Sequence, residues 1–325
     1  LQIAKLLGKT DSRLKAYKFK LKMNQKFEAA CGQTLNLCRE LYNAGLQERR
    51  DAYKICRTSI NFHQQALQLP EIKRLRDDAR GIHSQVLQDT LRRLGKAFDA
   101  FFRRVKAGHQ PGYPRFKGKR FFNSFTYPQS GFRLTGDKLT LSKIGACRLR
   151  LSRAIDGTIK TCTIKRQADG WFVIFTVAES QSCFIPKTGD ATGIDVGLEN
   201  FATLANGAVI ENPRFLKQAQ HAIKIAQRKA SKKKRRGANR RKAVKILARK
   251  HLKVANQRAD FFHKLSHQLI AGYDVIAVEE LQIKGLVKNH HLAKSISDAG
   301  WGSFIAILSG KAASAGRTVV KVSAA

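Results

Sequence analysis

Ala191-Thr-Gly-Ile-Asp-Val-Gly-Leu-Glu-Asn200 sets an acid, Asp195, in the middle of an apolar, strand-forming run. A second apolar run, Val275-Ile-Ala-Val-Glu-Glu-Leu281, carries Glu279 with Glu280 beside it. A carboxylate inside a strand that reads as buried is costly unless it is paired or bound to a cation. Between Glu211 and Asp260 there is no acidic residue and there are 18 Lys or Arg. Carboxylates suited to a divalent cation, beside a surface suited to polyanions, point to metal-dependent chemistry on nucleic acid.

The pattern around these two runs predicts the architecture. Strands are expected over 192–198 and 200–205, with a third after Gly207. Helices fill 213–271, a strand covers 273–281, a helix 294–316, and Thr318-Val-Val-Lys-Val322 a last strand. A meander of strands, then helices, then further strands matches an α/β domain of the ribonuclease H type. Upstream, Leu14-Lys-Ala-Tyr-Lys-Phe-Lys-Leu-Lys22 alternates apolar and basic residues, a strand with one wet, positive face. Residues 24–58 read as helix on the stripe Phe27, Cys31, Leu35, Cys38 and Tyr42. A second helix over 83–106 follows from Leu87, Leu91, Leu94, Phe98, Phe101 and Val105. Pro111-Gly-Tyr-Pro-Arg-Phe-Lys-Gly-Lys119 marks a loop at a domain edge. From 120 to 186 short β-rich runs separated by turns predict a small barrel or sandwich, which the strand at 14–22 can join.

Composition narrows the function. The 325 residues carry a net charge of +39, which makes nucleic acid the default partner and an anionic membrane the competitor. The basic stretch lacks the bulky apolar face of an interfacial helix, and no run approaches the ~18 residues of a membrane span. No signal peptide opens the chain, and a cytoplasmic, nucleoid-associated location is expected. The cysteines are Cys31, Cys38, Cys56, Cys147, Cys162 and Cys183, with no C-x-x-C pair. A Cys-only zinc site is therefore not expected, and Cys31 and Cys38 read as core.

Cleavage of phosphodiesters with two metal ions needs carboxylates converging on ions about 4 Å apart. Mg²⁺ takes oxygen ligands and keeps waters, so Asp and Glu from distant strands suffice. Asp195 and Glu279 are the candidate metal ligands. The plainer alternative makes Asp195 a structural turn cap and pairs Glu279 with a cation. Strand alternation alone does not choose between Glu279 and Glu280. The basic stretch includes Arg228, Lys229, Lys232, Lys233, Lys234, Arg235, Arg236, Arg240, Arg241 and Lys242. These read as phosphate contacts, or as a solvated face. Tyr113 and Phe116 interleave with Arg115 and Lys117, followed by Phe121, Phe122, Phe125 and Tyr127. This is either a stacking-plus-phosphate surface or a set of core aromatics at a domain edge.

Gly193-Ile-Asp-Val-Gly-Leu-Glu-Asn-Phe-Ala-Thr-Leu204 resembles the first RuvC motif of the OrfB/TnpB insertion-sequence proteins. Tyr273-Asp-Val-Ile-Ala-Val-Glu-Glu-Leu-Gln-Ile-Lys-Gly285 resembles the second, and Asn289–Gly302 the helix that follows it. Cys38-Arg-Glu-Leu-Tyr-Asn43, Ser84–Leu91 and Gly112-Tyr-Pro-Arg-Phe-Lys117 extend the likeness upstream. The resemblance implies an RNA-guided DNA endonuclease related to type V CRISPR effectors, with a guide RNA from the transposon end and target DNA as partners. It implies an α+β multidomain fold. A helical, helix-turn-helix-like recognition lobe (24–110) is inserted in a small wedge β-barrel (first strand 14–22, remainder 111–188). A RuvC-like, RNase H-like domain (190–325) follows. Asp195 and Glu279 match the first two catalytic, Mg²⁺-binding carboxylates.

In the family, a zinc ribbon of four cysteines and a third catalytic Asp would follow Val322. The chain begins at Leu1 and ends at Ala325. The expectation is therefore a C-terminally truncated member with an incomplete two-metal site. The alternative is a nuclease-dead protein that binds RNA or DNA without cutting. A generic basic RNA-binding protein is disfavoured by the strand contexts of Asp195 and Glu279.

Overall fold

Alternation along Leu14–Lys22 drives Tyr17, Phe19 and Leu21 inward and leaves lysines on the other face, forming strand β1. The computed structural model describes residues 14–179 and 185–323 and separates into two units, Leu1–Gln181 and Ser182–Ala325.

In the first unit β1 joins six later strands. These are β2 (Ser124–Tyr127), β3 (Phe132–Thr135), β4 (Lys138–Leu141), β5 (Gly145–Arg150), β6 (Thr158–Gln167) and β7 (Gly170–Ala178). The order is β2-β6-β7-β1-β5-β4-β3, with every neighbouring pair antiparallel. The first strand thus sits inside a sheet whose other strands come after the helices. Those helices begin with α1 (Gln25–Cys56), started by Asn24, whose side chain accepts from the Phe27 N–H at 2.8 Å. The predicted stripe Phe27, Cys31, Leu35, Cys38 and Tyr42 is buried as expected. Short helices α2 (Phe62–Leu67), α3 (Leu69–Leu75) and α4 (Asp77–Arg80) lead to α5 (Ser84–Lys106). Leu87, Leu91 and Leu94 of α5 enter the same core as β1 and α1. The stripe does not stay buried to its end. Phe101 is half-buried and Val105 is 48% exposed, because the last turns of α5 run past the core.

The second unit holds β8 (Ala191–Asp195), β9 (Asn200–Leu204), β10 (Val209–Glu211), β11 (Val275–Glu279) and β12 (Thr318–Val322), in the order β10-β9-β8-β11-β12. β8, β9 and β10 form an antiparallel meander, while β11 runs parallel to both β8 and β12. Between β10 and β11 come α6 (Phe215–Ser231) and α7 (Ala238–Gly272). After β11 come α8 (Ile283–Leu286), α9 (Ala293–Ala299) and α10 (Trp301–Ala315). Phe262, Leu265 and Leu269 of α7 and Phe304 and Leu308 of α10 share one core with Ile194, Ile276 and Val278. A bulge lies between Ile210 and Glu211, which pair with Ala202 and Asn200. The extra residue opposite it is Phe201, which is 1% exposed and meets Phe261, Phe262 and Phe304 edge-on or tilted. The helices expected over 213–271 are two, and the single helix expected over 294–316 proves to be two. The stretch 213–271 breaks at 232–237, and 294–316 breaks at Gly300, which has φ +68°.

Candidate functional site

Asp195 is the last residue of β8 and Glu279 the last of β11. Ile194 pairs with Val278 in the parallel ladder, so the two carboxylates come next on adjacent strands about 4.8 Å apart. Ile194 and Val278 point into the core. Asp195 and Glu279 therefore turn to the opposite face, with Gly193 and Ala277. There they line a cavity of about 490 Å³, together with Thr203 and Val322. The two small residues give the cleft its depth. Glu280 does not line it, and its backbone N–H donates to the Val322 carbonyl at 2.8 Å. The expectation of a buried mid-strand acid needs correction. β8 stops at Asp195, because at Gly197 the chain turns back and its N–H donates to the Phe201 carbonyl. Asp195 is exposed and Glu279 half-buried. Hydration removes the desolvation cost that the sequence reading assigned to them.

The basic stretch straddles the hairpin of α6 and α7. Arg228 and Lys229 lie in the last turn of α6, where cations complement the helix dipole. Lys232, Lys233, Lys234, Arg235 and Arg236 form the connection and are exposed, Arg236 with φ +65°. Arg241 and Lys242 are exposed on α7. Arg240 differs. Its Nη1 donates to the carbonyls of Ala230, Ser231 and Lys233 at 3.1–3.4 Å, closing the orphan end of α6.

The loop over 111–119 is tied down from within its own unit. Asn43 on α1 accepts from the Lys117 N–H at 2.8 Å and donates to its carbonyl at 3.1 Å. The Arg50 guanidinium lies over the Phe116 ring at 5.5 Å. Arg115 and Phe116 are exposed, and Tyr113 is 44% exposed. The aromatics beyond the loop divide. Phe122, Phe125 and Tyr127 are core, whereas Phe121 is 79% exposed. The core reading holds for Phe122, Phe125 and Tyr127, while Tyr113, Phe116 and Phe121 are left at the surface.

Sequence reasoning missed two acids that organise the second unit. Asp298 accepts from the Leu216 and Lys217 N–H groups at the start of α6, and Arg258 donates to it at 2.8 Å. Asp274 accepts from the Thr188 and Gly189 N–H groups and from the buried Arg317. The two backbone donors and then the guanidinium hold the Asp274 carboxyl below the usual carboxylate range. Only Ser-Asp-Ala before Gly300, a helix-end pattern, hinted at Asp298.

Cys31, Cys38, Cys147 and Cys162 are buried free thiols. Burial pushes the thiols of Cys38 and Cys147 up to about 11, so they are packing groups and not nucleophiles. Cys183 lies outside the described residues. Among the described residues no group of three or more His, Cys, Asp or Glu could hold a metal, and no helix is long and apolar enough to cross a membrane.

The fold defines a two-sheet α/β protein. It is similar to the protein in "Cryo-EM structure of the Cas12f1-sgRNA-target DNA complex", with a TM-score of 0.55 and 14% identity, over 92% of this chain and 74% of that one. Residues 177–290 match a family described as "Probable transposase". Residues 13–57 match one described as "Helix-turn-helix domain", although their described part is β1 and the unbroken α1. The chain is 31% identical to the "Putative RNA-guided DNA endonuclease" of Streptomyces pristinaespiralis, over 95% of this chain and 77% of that protein. It is 27% identical to the "Putative RNA-guided DNA endonuclease InsQ" of Escherichia coli, over 89% and 75%. The chain belongs to the OrfB/TnpB family of insertion-sequence proteins.

Proposed function

We propose that the chain works as an insertion-sequence, RNA-guided DNA endonuclease, with a guide RNA and target DNA as partners. The observation that carries this reading is the pairing of Asp195 and Glu279 at the carboxyl ends of adjacent parallel strands, in one open cleft. In this reading residues 190–325 are a RuvC-like domain, residues 24–110 a recognition lobe, and the seven-stranded sheet the wedge that grips the guide. The relatives' names and the strand order β10-β9-β8-β11-β12 support it.

The cleft's donors fit Mg²⁺. They are carboxylate oxygens open to water, and Mg²⁺ commonly takes one or two carboxylates and fills its remaining positions with water and substrate phosphate. Asp195 and Glu279 would hold it, and when bound it supplies charge stabilisation and a water of lowered pKa. Gly193 and Ala277 leave room for a phosphodiester to approach the two carboxylates. The exposed cations from Arg228 to Lys242, Arg240 excepted, hold a nucleic-acid backbone with little choice of sequence. Sequence choice passes to pairing between guide and target, as in RNA-guided effectors generally.

The test uses the chain purified with RNA expressed from its own locus, a DNA duplex matching that RNA, and Mg²⁺. Cleavage is expected, lost in Asp195→Ala and in Glu279→Ala with RNA binding kept. Cleavage retained in Asp195→Ala would sink the assignment of the site. RNA bound without cleavage by the unaltered chain would favour the binding-only alternative.

A further inference from the structure

A second cavity, of about 980 Å³, opens within the first unit, between the end of α1, the segment before α2 and the second half of α5. Its walls are aromatic, from Phe62, Phe98, Phe101, Phe102 and Tyr113. Tyr113 meets Phe98 and Phe101 edge-on, with centroids 5.6 and 5.4 Å apart. Phe102 is 54% exposed, so a ring face that core packing does not need is left to water. Cations sit among these rings. Arg92 lies over the Phe62 ring at 5.3 Å, and Lys96 lines the same space. Arg49 is 8% exposed and lies over Phe98 at 5.1 Å, and its Nε donates to Gln65. Its Nη2 has no hydrogen-bond partner among the described residues. A buried guanidinium N–H without an acceptor is costly, and native proteins rarely leave one without a reason. Asp99 is the one acid in the lining, against three Lys or Arg.

Aromatic faces interleaved with cations suit one chemistry well, a flat ring with acceptor atoms attached to a phosphate. We propose that this cavity takes an unstacked nucleobase from a single strand, stacked on Phe102 and Tyr113, with phosphates of the same strand at Lys96 and, further back along α5, at Arg92. An apolar peptide would cover the rings but leave the cations and the Arg49 N–H without partners. The inference rests on the nucleic-acid reading above and adds a site outside the carboxylate cleft and the basic hairpin.

The probes are short fluorescein-labelled oligo(rU) and oligo(dT) strands and a blunt DNA duplex, each titrated against the full chain by anisotropy. Phe102→Ala is expected to weaken single-strand binding about tenfold, the loss of one stacked base, with duplex binding unchanged. Phe102→Trp is expected to restore it. Strands carrying 4-thiouridine or 4-thiothymidine should cross-link to residues of the cavity in the unaltered chain, a readout that needs no variant to fold. Tighter binding of oligo(rU) would make the source an RNA strand, and tighter binding of oligo(dT) a displaced DNA strand. Unchanged single-strand affinity in Phe102→Ala, with cross-links elsewhere, would overturn the proposal and leave the cavity to an apolar protein segment. Binding of no probe at all would overturn the nucleic-acid reading itself.

Discussion

Asp274 and Asp195 are carboxylates at opposite ends of one sheet, and their surroundings give them different work. Asp274 stands just before β11 and receives the Thr188 and Gly189 N–H groups and the guanidinium of Arg317. Arg317 is 5% exposed and also donates to the carbonyls of Ile270 and Pro186. Removing the negative charge would leave that guanidinium buried without its counter-ion. Because the folded-state pKa of Asp274 is depressed, its contribution is complete above the unfolded value near ~3.9. It is lost as pH falls through that value toward the folded one. Asp274→Asn should therefore lower the melting temperature at neutral pH, with the gap from the parent closing below about pH 4. A melting series across pH checks this, and a gap independent of pH would show that packing and not charge is lost. Asp195, facing water at the other strand end, makes no such contact among the described residues, as the proposed metal-binding role requires.

At the scale of elements, β6 and β7 depend on one glycine. Gly157 precedes β6 with φ +106°, and a Cβ there would sit 2.1 Å from the Ala178 carbonyl oxygen. Thr158 pairs with Ala178, so the clash falls at the first rung of the ladder. Gly157→Ala should destabilise the first unit by about 3 kcal/mol, combining backbone strain with overpacking. A denaturant titration followed by Trp171, the tryptophan of this unit, would show it as a lower midpoint. Such contacts between distant segments were not legible in the sequence, whereas periodic elements were. The stripe from Phe27 to Tyr42 and the alternation from Leu14 to Lys22 each bury one face, so their period states their structure. The boundaries failed where the cause is tertiary. The turn at Gly197 shortens β8 and moves Asp195 to the strand end, and the bulge redirects Phe201 into the core. More than one helix was expected over 213–271, but the position of the break at 232–237 was not, because Lys and Arg are good helix formers and Gly237 is the local signal. Asp195 and Glu279 were legible as a pair, because acids are rare in apolar strands. That they share one face, which Glu280 does not, required the register of β8 and β11.

For the whole molecule the dominant quantity is the charge of +39, and its concentration between Glu211 and Asp260 makes its effect testable. A polyanion bound there releases counterions, so log K falls with log salt by about 0.9 for each phosphate neutralised on duplex DNA. Lys232, Lys233, Lys234, Arg235 and Arg236 are exposed on the connection between α6 and α7. Replacing all five by Gln should weaken duplex binding at low salt and flatten the slope, by up to about 4.5 if each meets a phosphate. Arg240 provides the contrast. Its guanidinium is committed to the carbonyls that end α6, so Arg240→Gln should lower the melting temperature and change the slope little. Anisotropy across a salt series, with a melting curve for each variant, separates the two effects. A slope unchanged by the fivefold replacement would make the connection a solvated face, and would move the nucleic-acid contact to the other cations of α6 and α7.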